Sequence, residues 1–195
     1  MKKEFTLTIY TENQVGLINK IAIMFSRRKI SLESLNTSPS EIENIYRFTL
    51  VVFETETVIR NLVRQLEKQI DVLKVYYNTN EEIIWQQMAL YKVATSTIMK
   101  VVKVERLLRE YGAKAVVIRE DFTVFETTGQ DEEINNLLKE LHKYGLIEFV
   151  RSSRIAIIKS SVGVHQDVLD MERNDPTKLP INNEYLNHKS MIFQM

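Results

Sequence analysis

The chain has 195 residues, with 26 Lys+Arg balanced by 26 Asp+Glu, so its formal net charge is zero. That balance gives no general attraction to nucleic acid or to anionic membrane. The absence of cysteine excludes disulfides, thiolate nucleophiles and thiolate metal sites.

Residues 4–10, EFTLTIY, alternate, with Phe5, Leu7 and Ile9 on one face and Thr6, Thr8 and Tyr10 on the other, which is the period of a strand. Residues 15–28 switch to helical spacing: Val15, Ile18, Ala22 and Phe25 form one stripe with Leu17, Ile21 and Met24 beside it, while Ile23 falls among polar residues, exposed or at an interface. A second strand is expected over 31–37, with Leu32 and Leu35 out of strict alternation, so that a bulge is allowed there. A turn at 38–44 leads to a third strand at 46–53 and a second helix at 54–69. The helix carries Val58, Leu62 and Leu66 joined by Ile59, Val63 and Ile70. A fourth strand follows at 71–77. Strand, helix, strand, strand, helix, strand is the ferredoxin-like split βαβ order.

Residues 78–87, with the single tryptophan Trp85, read as a short helical linker. The order then repeats: strand 88–95, helix 98–111 ended by Gly112, strands 113–120 and 122–129, helix 131–144 ended by Gly145, and a long or bent strand over 147–158. The match between halves lies in pattern rather than residue identity. The expected fold is α+β: two consecutive ferredoxin-like βαββαβ domains, each an antiparallel sheet with helices on one face. The domains are placed at 1–77 and 88–159, followed by a tail at 160–195 that is partly ordered or held by a partner. The tail holds two of the three prolines, Pro176 and Pro180, with Leu186, Met191, Ile192 and Phe193 as anchors. Small sheets bare on one face call for a second copy, so a homodimer or larger assembly is expected.

No catalytic constellation emerges. His142 lies among Glu140, Lys143 and Tyr144 and reads as a surface histidine; His165 and Asp167 are two weak metal ligands in the tail, where His188 also lies. No G-x-S-x-G, Walker or G-x-G-x-x-G pattern is present. Glu81/Glu82 and Glu132/Glu133 fall at expected helix starts, where carboxylates favour the dipole. Tyr46, Phe48 and Phe53 sit where RNA-recognition domains carry stacking aromatics, but the RNP signature is absent, and burial against another subunit explains them better. The N-terminal MKKEFTLTIYTEN has no apolar run after its lysines and does not read as a signal peptide. No stretch reaches the roughly 18 apolar residues of a membrane span. A cytoplasmic protein is expected.

One glycine of five, Gly16, stands at the start of the first helix, after Asn13, Gln14 and Val15. Two readings stand side by side. Asn13 caps the helix and Gly16 avoids a clash; or the helix N-terminus, with its free N–H groups, receives a carboxylate, Gly16 lets the ligand approach, and Asn13 both donates and accepts.

The stretch TENQVGLINKIAIMFSRR followed by ISLESLNTSP resembles the ACT domain of acetolactate synthase (acetohydroxyacid synthase) small regulatory subunits, through Glu12, Asn13, Gly16, Phe25, Arg28, Glu33, Ser34 and Leu35. Residues 71–75 resemble the strand that closes that domain. Gln86-Gln87-Met88-Ala89-Leu90 and Gly112-Ala113-Lys114 resemble the family's C-terminal domain. The resemblance spans residues 3–159 and is specific over 12–35. It departs at Lys29, where the family has a glycine, so that the helix lacks its usual left-handed glycine, and at Ser31, where the family has an asparagine that helps hold the effector across the dimer interface.

The resemblance implies a noncatalytic subunit that activates a large, thiamine-diphosphate-dependent subunit. It also implies feedback inhibition by a branched-chain amino acid, valine first, in valine, leucine and isoleucine biosynthesis. Thiamine diphosphate (TPP), Mg²⁺ and FAD would belong to the large subunit and none to this chain. The effector would lie between two N-terminal domains on Asn13, Gln14, Val15, Gly16, Leu17, Ser31 and Leu32. Neither nucleic acid nor membrane is implied. A stand-alone ACT-domain sensor is the alternative, although no helix-turn-helix is visible; a small enzyme would need a polar cluster that the sequence does not offer.

Overall fold

The computed structural model describes residues 1–161, 163 and 166. The chain divides into two compact units, one built on Met1–Ile84 with residues from Ile157 onward, the other Trp85–Ala156. The expected tail lies outside the described residues beyond those few positions, and so do His165, Asp167, His188, Leu186, Met191, Ile192 and Phe193.

The first unit runs β1 (Lys3–Glu12), α1 (Leu17–Arg27), β2 (Ser34–Pro39), β3 (Ile45–Glu54), α2 (Glu56–Leu66) and β4 (Val72–Asn78). The strands form one antiparallel sheet in the order β2-β3-β1-β4. β1 is central, with Leu7 opposite Leu50 on β3 and Tyr77 on β4. The alternation read in β1 sends Phe5, Leu7 and Ile9 to the helix side. There they meet Phe48, Leu50 and Val52 of β3 beneath Leu17, Ile21 and Phe25 of α1 and Ile59, Leu62, Val63 and Leu66 of α2. Each such fully buried aliphatic side chain contributes about 1.5–3 kcal/mol. The opposite face of β1 is not bare: Thr6, Thr8 and Tyr10 are buried as well. At its Tyr10 end Ile42 and Ile45 close over the sheet with Leu73 and Tyr76.

The second unit runs β5 (Ile83–Ala94), α3 (Thr95–Lys100), α4 (Val102–Glu110), β6 (Lys114–Ile118), β7 (Phe122–Gly129), α5 (Asp131–His142), β8 (Leu146–Arg151) and β9 (Ile155–Ile158). Its sheet order is β6-β7-β5-β8, with β9 also pairing with β5. The first four strands thus repeat the permutation of the first unit. Ala89, Tyr91, Val93 and Phe125 pack beneath Val104, Leu108, Ile134, Leu137 and Leu141. The α+β architecture of two antiparallel sheets with helices is therefore the one expected.

Several local expectations change. The buried stripe of α1 is Leu17, Ile21 and Phe25; Ile18 is exposed and Val15 precedes the helix in open solvent, while Ile23 is exposed, one of the two placements read for it. Ile70, placed on the stripe of α2, is exposed beyond its end. The helical linker at 78–87 is absent: Ile83, Trp85, Gln87, Ala89, Tyr91 and Val93 are buried at every second position, so period two wins and β5 starts at Ile83. The helix read over 98–111 breaks at Val101, whose φ of −119° and ψ of 89° are not helical. The strand over 147–158 is interrupted at Ser152–Arg154, where Ser152 turns to bond Met88: its N–H donates to the Met88 carbonyl at 2.8 Å and its Oγ accepts the Met88 N–H at 3.0 Å.

β2 also starts later than read, at Ser34. The reason lies at the end of α1. Lys29 takes the left-handed φ of 57°, and the Ile30 N–H reaches back to the Phe25 carbonyl at 3.1 Å, a Schellman-type closure. Buried Ile30 anchors it. The left-handed position that the resemblance assigns to glycine thus survives in the backbone with a lysine in it. Ser31 is exposed, and Leu32 is half-buried against the core in the connection before β2.

Candidate effector site

The last residues of β1 and the first of α1 are joined by a four-residue turn, residues 13–16, that is tied down at both ends. The Glu12 N–H donates to the Asp71 carbonyl at 3.0 Å, and the Asn13 N–H donates to the Asn44 carbonyl at 2.9 Å. The Asp71 carboxylate, on a buried residue, pairs with Lys20 Nζ on α1 at 2.7 Å. The turn is therefore held by the loop before β3, the loop before β4 and the helix that it starts.

Gly16 closes the turn with φ 84° and ψ −1°, the left-handed region. A Cβ built there would meet nothing within 4 Å. The glycine is required by backbone conformation, not by lack of space, since an L-residue in this region carries about 1–2 kcal/mol of strain. Gly16 is itself the N-cap of α1, and no side chain caps the helix. The capping role read for Asn13 is thus corrected: the N-cap is Gly16, three residues further along the chain. The Leu17 N–H reaches back to the Gln14 carbonyl at 3.4 Å and the Asn19 N–H to the Gly16 carbonyl at 3.1 Å, so the Ile18 N–H is the one left open in the first turn, where no acidic side chain stands.

At the start of α1 lies a concavity of about 180 Å³. Glu12, Asn13, Gln14 and Gly16 form one rim; Leu17, Ile18 and Phe48 give apolar wall; Thr11, Thr37 and Tyr46 complete the lining. The Gln14 amide donates to the Glu12 carboxylate at 3.3 Å. Thus Asn13, Gln14, Gly16 and Leu17 share the lining of one cavity. Val15 points to solvent, and Ser31 and Leu32 do not line the cavity. Thr11, Glu12, Ile18, Thr37, Tyr46 and Phe48 were not anticipated as lining residues. Tyr46 stands directly opposite Thr11 across the β1–β3 ladder, a neighbour that only the strand register reveals. Chemically, the arrangement offers the positive end of α1 with the Ile18 N–H, a carboxylate at Glu12 and an apolar wall: complements for the carboxylate, ammonium and branched side chain of an amino acid.

Among the described residues no three His, Asp or Glu side chains converge as a metal site, and His142 is exposed. No described helix is long and apolar enough to cross a membrane.

A family model for the AHAS small subunit-like ACT domain matches residues 7–74, and one for the small subunit of acetolactate synthase matches residues 86–160. The chain is 32% identical over 162 residues to the acetolactate synthase small subunit of Bacillus subtilis, covering 83% of this chain and 92% of that one. The chain belongs to the acetolactate synthase small-subunit family. The small subunit of Mycobacterium leprae is 29% identical over 82% of this chain and 94% of its own length. Arabidopsis thaliana small subunit 2 is 31% identical over 82% of this chain but only 33% of its own length. The crystal structure of the Thermotoga maritima small subunit superposes with a TM-score of 0.73 at 22% identity, over 82% of this chain and 99% of that one, and carries the same fold. The family is that of the noncatalytic, regulatory subunit, which implies a large catalytic subunit as partner.

Proposed function

We propose that this chain activates a TPP-dependent acetolactate synthase large subunit in the cytoplasm and makes it sensitive to feedback by a branched-chain amino acid, valine first. The observation that carries the reading is the concavity at the start of α1, in an ACT domain of this family: the positive end of the helix faces an apolar wall beside Glu12. The amino acid's carboxylate rests on the Asn13–Gly16 turn, its ammonium faces Glu12, and its side chain packs on Leu17, Ile18 and Phe48. Two N-terminal domains pair as a homodimer, and Ser31 and Leu32, which do not line their own copy's cavity, are supplied by the second copy. The effector then favours one of two arrangements of the pair, a bias that requires different affinity for the two states, typically a coupling of about 1–3 kcal/mol.

The test is calorimetric titration of the purified chain with valine, leucine and isoleucine, followed by assay of the reconstituted large subunit. Saturable heat with one of them is expected. Gly16→Asp should abolish it while leaving activation of the large subunit intact. Gly16→Asn, which tolerates the same φ without the charge, should keep most of it. Heat unchanged in Gly16→Asp would remove the site assignment.

A further inference from the structure

Strand β1 places Phe5, Leu7 and Ile9 on the helix side. The next residue on that side is Thr11, a break in the apolar series at the strand's last inward position. Its side chain is fully buried, at 0% exposure. Among the buried threonines of the described residues, it is the one whose enclosed hydroxyl has no hydrogen-bond partner. A valine would fill the same volume with no polar atom to desolvate, so the free chain is worse off for the hydroxyl. Two further features sit at the same residue. The β1–β4 register shifts between Tyr10 and Thr11, an irregularity of the kind that re-aims side chains near functional sites. And Thr11 lines the concavity at the start of α1.

We propose that Thr11 is an affinity-determining residue of the effector site, its hydroxyl donating a hydrogen bond to the carboxylate of the bound amino acid. This rests on the reading of the cavity as an amino-acid site. The ligand atom follows from donor count. The start of α1 offers the Ile18 N–H and the positive end of the helix dipole, so a hydroxyl beside them adds a second donor for an anionic oxygen. The ammonium belongs instead at Glu12, the carboxylate on the rim. A local departure from pattern that weakens the free protein is a mark of function, and here the missing partner is the ligand.

The experiment uses the full chain with Thr11→Val and Thr11→Ser. Valine, leucine and isoleucine are titrated by calorimetry into each, and each is melted with and without amino acid. For the amino acid that binds the wild type, Thr11→Val should bind about tenfold more weakly, and Thr11→Ser within a few-fold of wild type. Free Thr11→Val should melt about 4 °C higher than free wild type. Equal affinity in Thr11→Val and wild type overturns the proposal and leaves the site standing. A lower melting point for free Thr11→Val, or its failure to fold, shows a hydroxyl with a structural partner and also overturns it. No binding of any of the three to wild type overturns the amino-acid reading itself, and this inference with it.

Discussion

The guanidinium carbon of Arg154 lies 3.7 Å from the centroid of the Trp85 ring, and both residues are buried, Arg154 at 1% and Trp85 at 7% exposure. Arg154 Nη2 also stands 3.5 Å from Asp131 Oδ2. The stack joins the first strand of the second unit to the break between β8 and β9, and the carboxylate that faces it opens α5. Truncation to Arg154→Ala leaves a cavity under the indole and should destabilise the protein by about 3 kcal/mol. Arg154→Met fills the space and should lose less than half of that. Denaturant unfolding followed by the fluorescence of Trp85, the single tryptophan, measures both; equal losses in the two variants would assign the effect to charge instead of packing.

Lys29 holds a left-handed φ of 57°. Lys29→Gly keeps the closure at the end of α1 and removes the strain, so stability should rise by about 1 kcal/mol, partly offset by the greater freedom of glycine in the unfolded chain. The denaturant midpoint should move up with an unchanged slope.

Gly16 is the converse case. Gly16→Ala meets no neighbour but must take a φ of 84°. It should lose about 1–2 kcal/mol, and Gly16→Asn should lose less. If alanine were tolerated as well as asparagine, the turn would not be held in its left-handed form.

Tyr91 is buried and donates its hydroxyl to the Ile134 carbonyl at 3.0 Å. Burial pushes its phenol above the usual value of 10.0. Because the folded pKa lies above the unfolded one, the stability that this group contributes is complete below pH 10 and declines as pH rises through the folded value. Alkaline stability curves should therefore fall above about pH 10. Tyr91→Phe should lose about 1 kcal/mol at neutral pH and show a flatter alkaline limb. A parallel limb in the variant would move the effect to another group.

Periodicity revealed most of the architecture because both units are built from short amphipathic elements whose apolar positions face one core each. The alternation of residues 4–10 and the stripe of α5 through Ile134, Leu137 and Leu141 are such cases. The reading failed where two periods compete over a short span, as at Ile83–Gln87, where acidic neighbours imitated a helix start. It also failed where a single backbone angle decides the boundary: Gly16 delays α1, Lys29 delays β2, and Val101 divides α3 from α4. In the site, the turn residues Asn13, Gln14 and Gly16 were legible because glycine is scarce in this chain and the stretch that holds it carries the family resemblance. Thr37, Tyr46 and Phe48 were not, since they reach the cavity through pairing across strands, and a register has no signature in the chain itself.

β6, the outer strand of the second sheet, is exposed along its whole length, with Val116, Val117 and Ile118 among its five residues. An unpaired edge of β-branched side chains is a template for adding a foreign strand. Lys114 at its head, Arg119 just past its tail and the register slip between Ala115 and Val117 are devices that discourage such growth. Neutralising both cations should therefore raise the tendency of this edge to pair with a foreign strand.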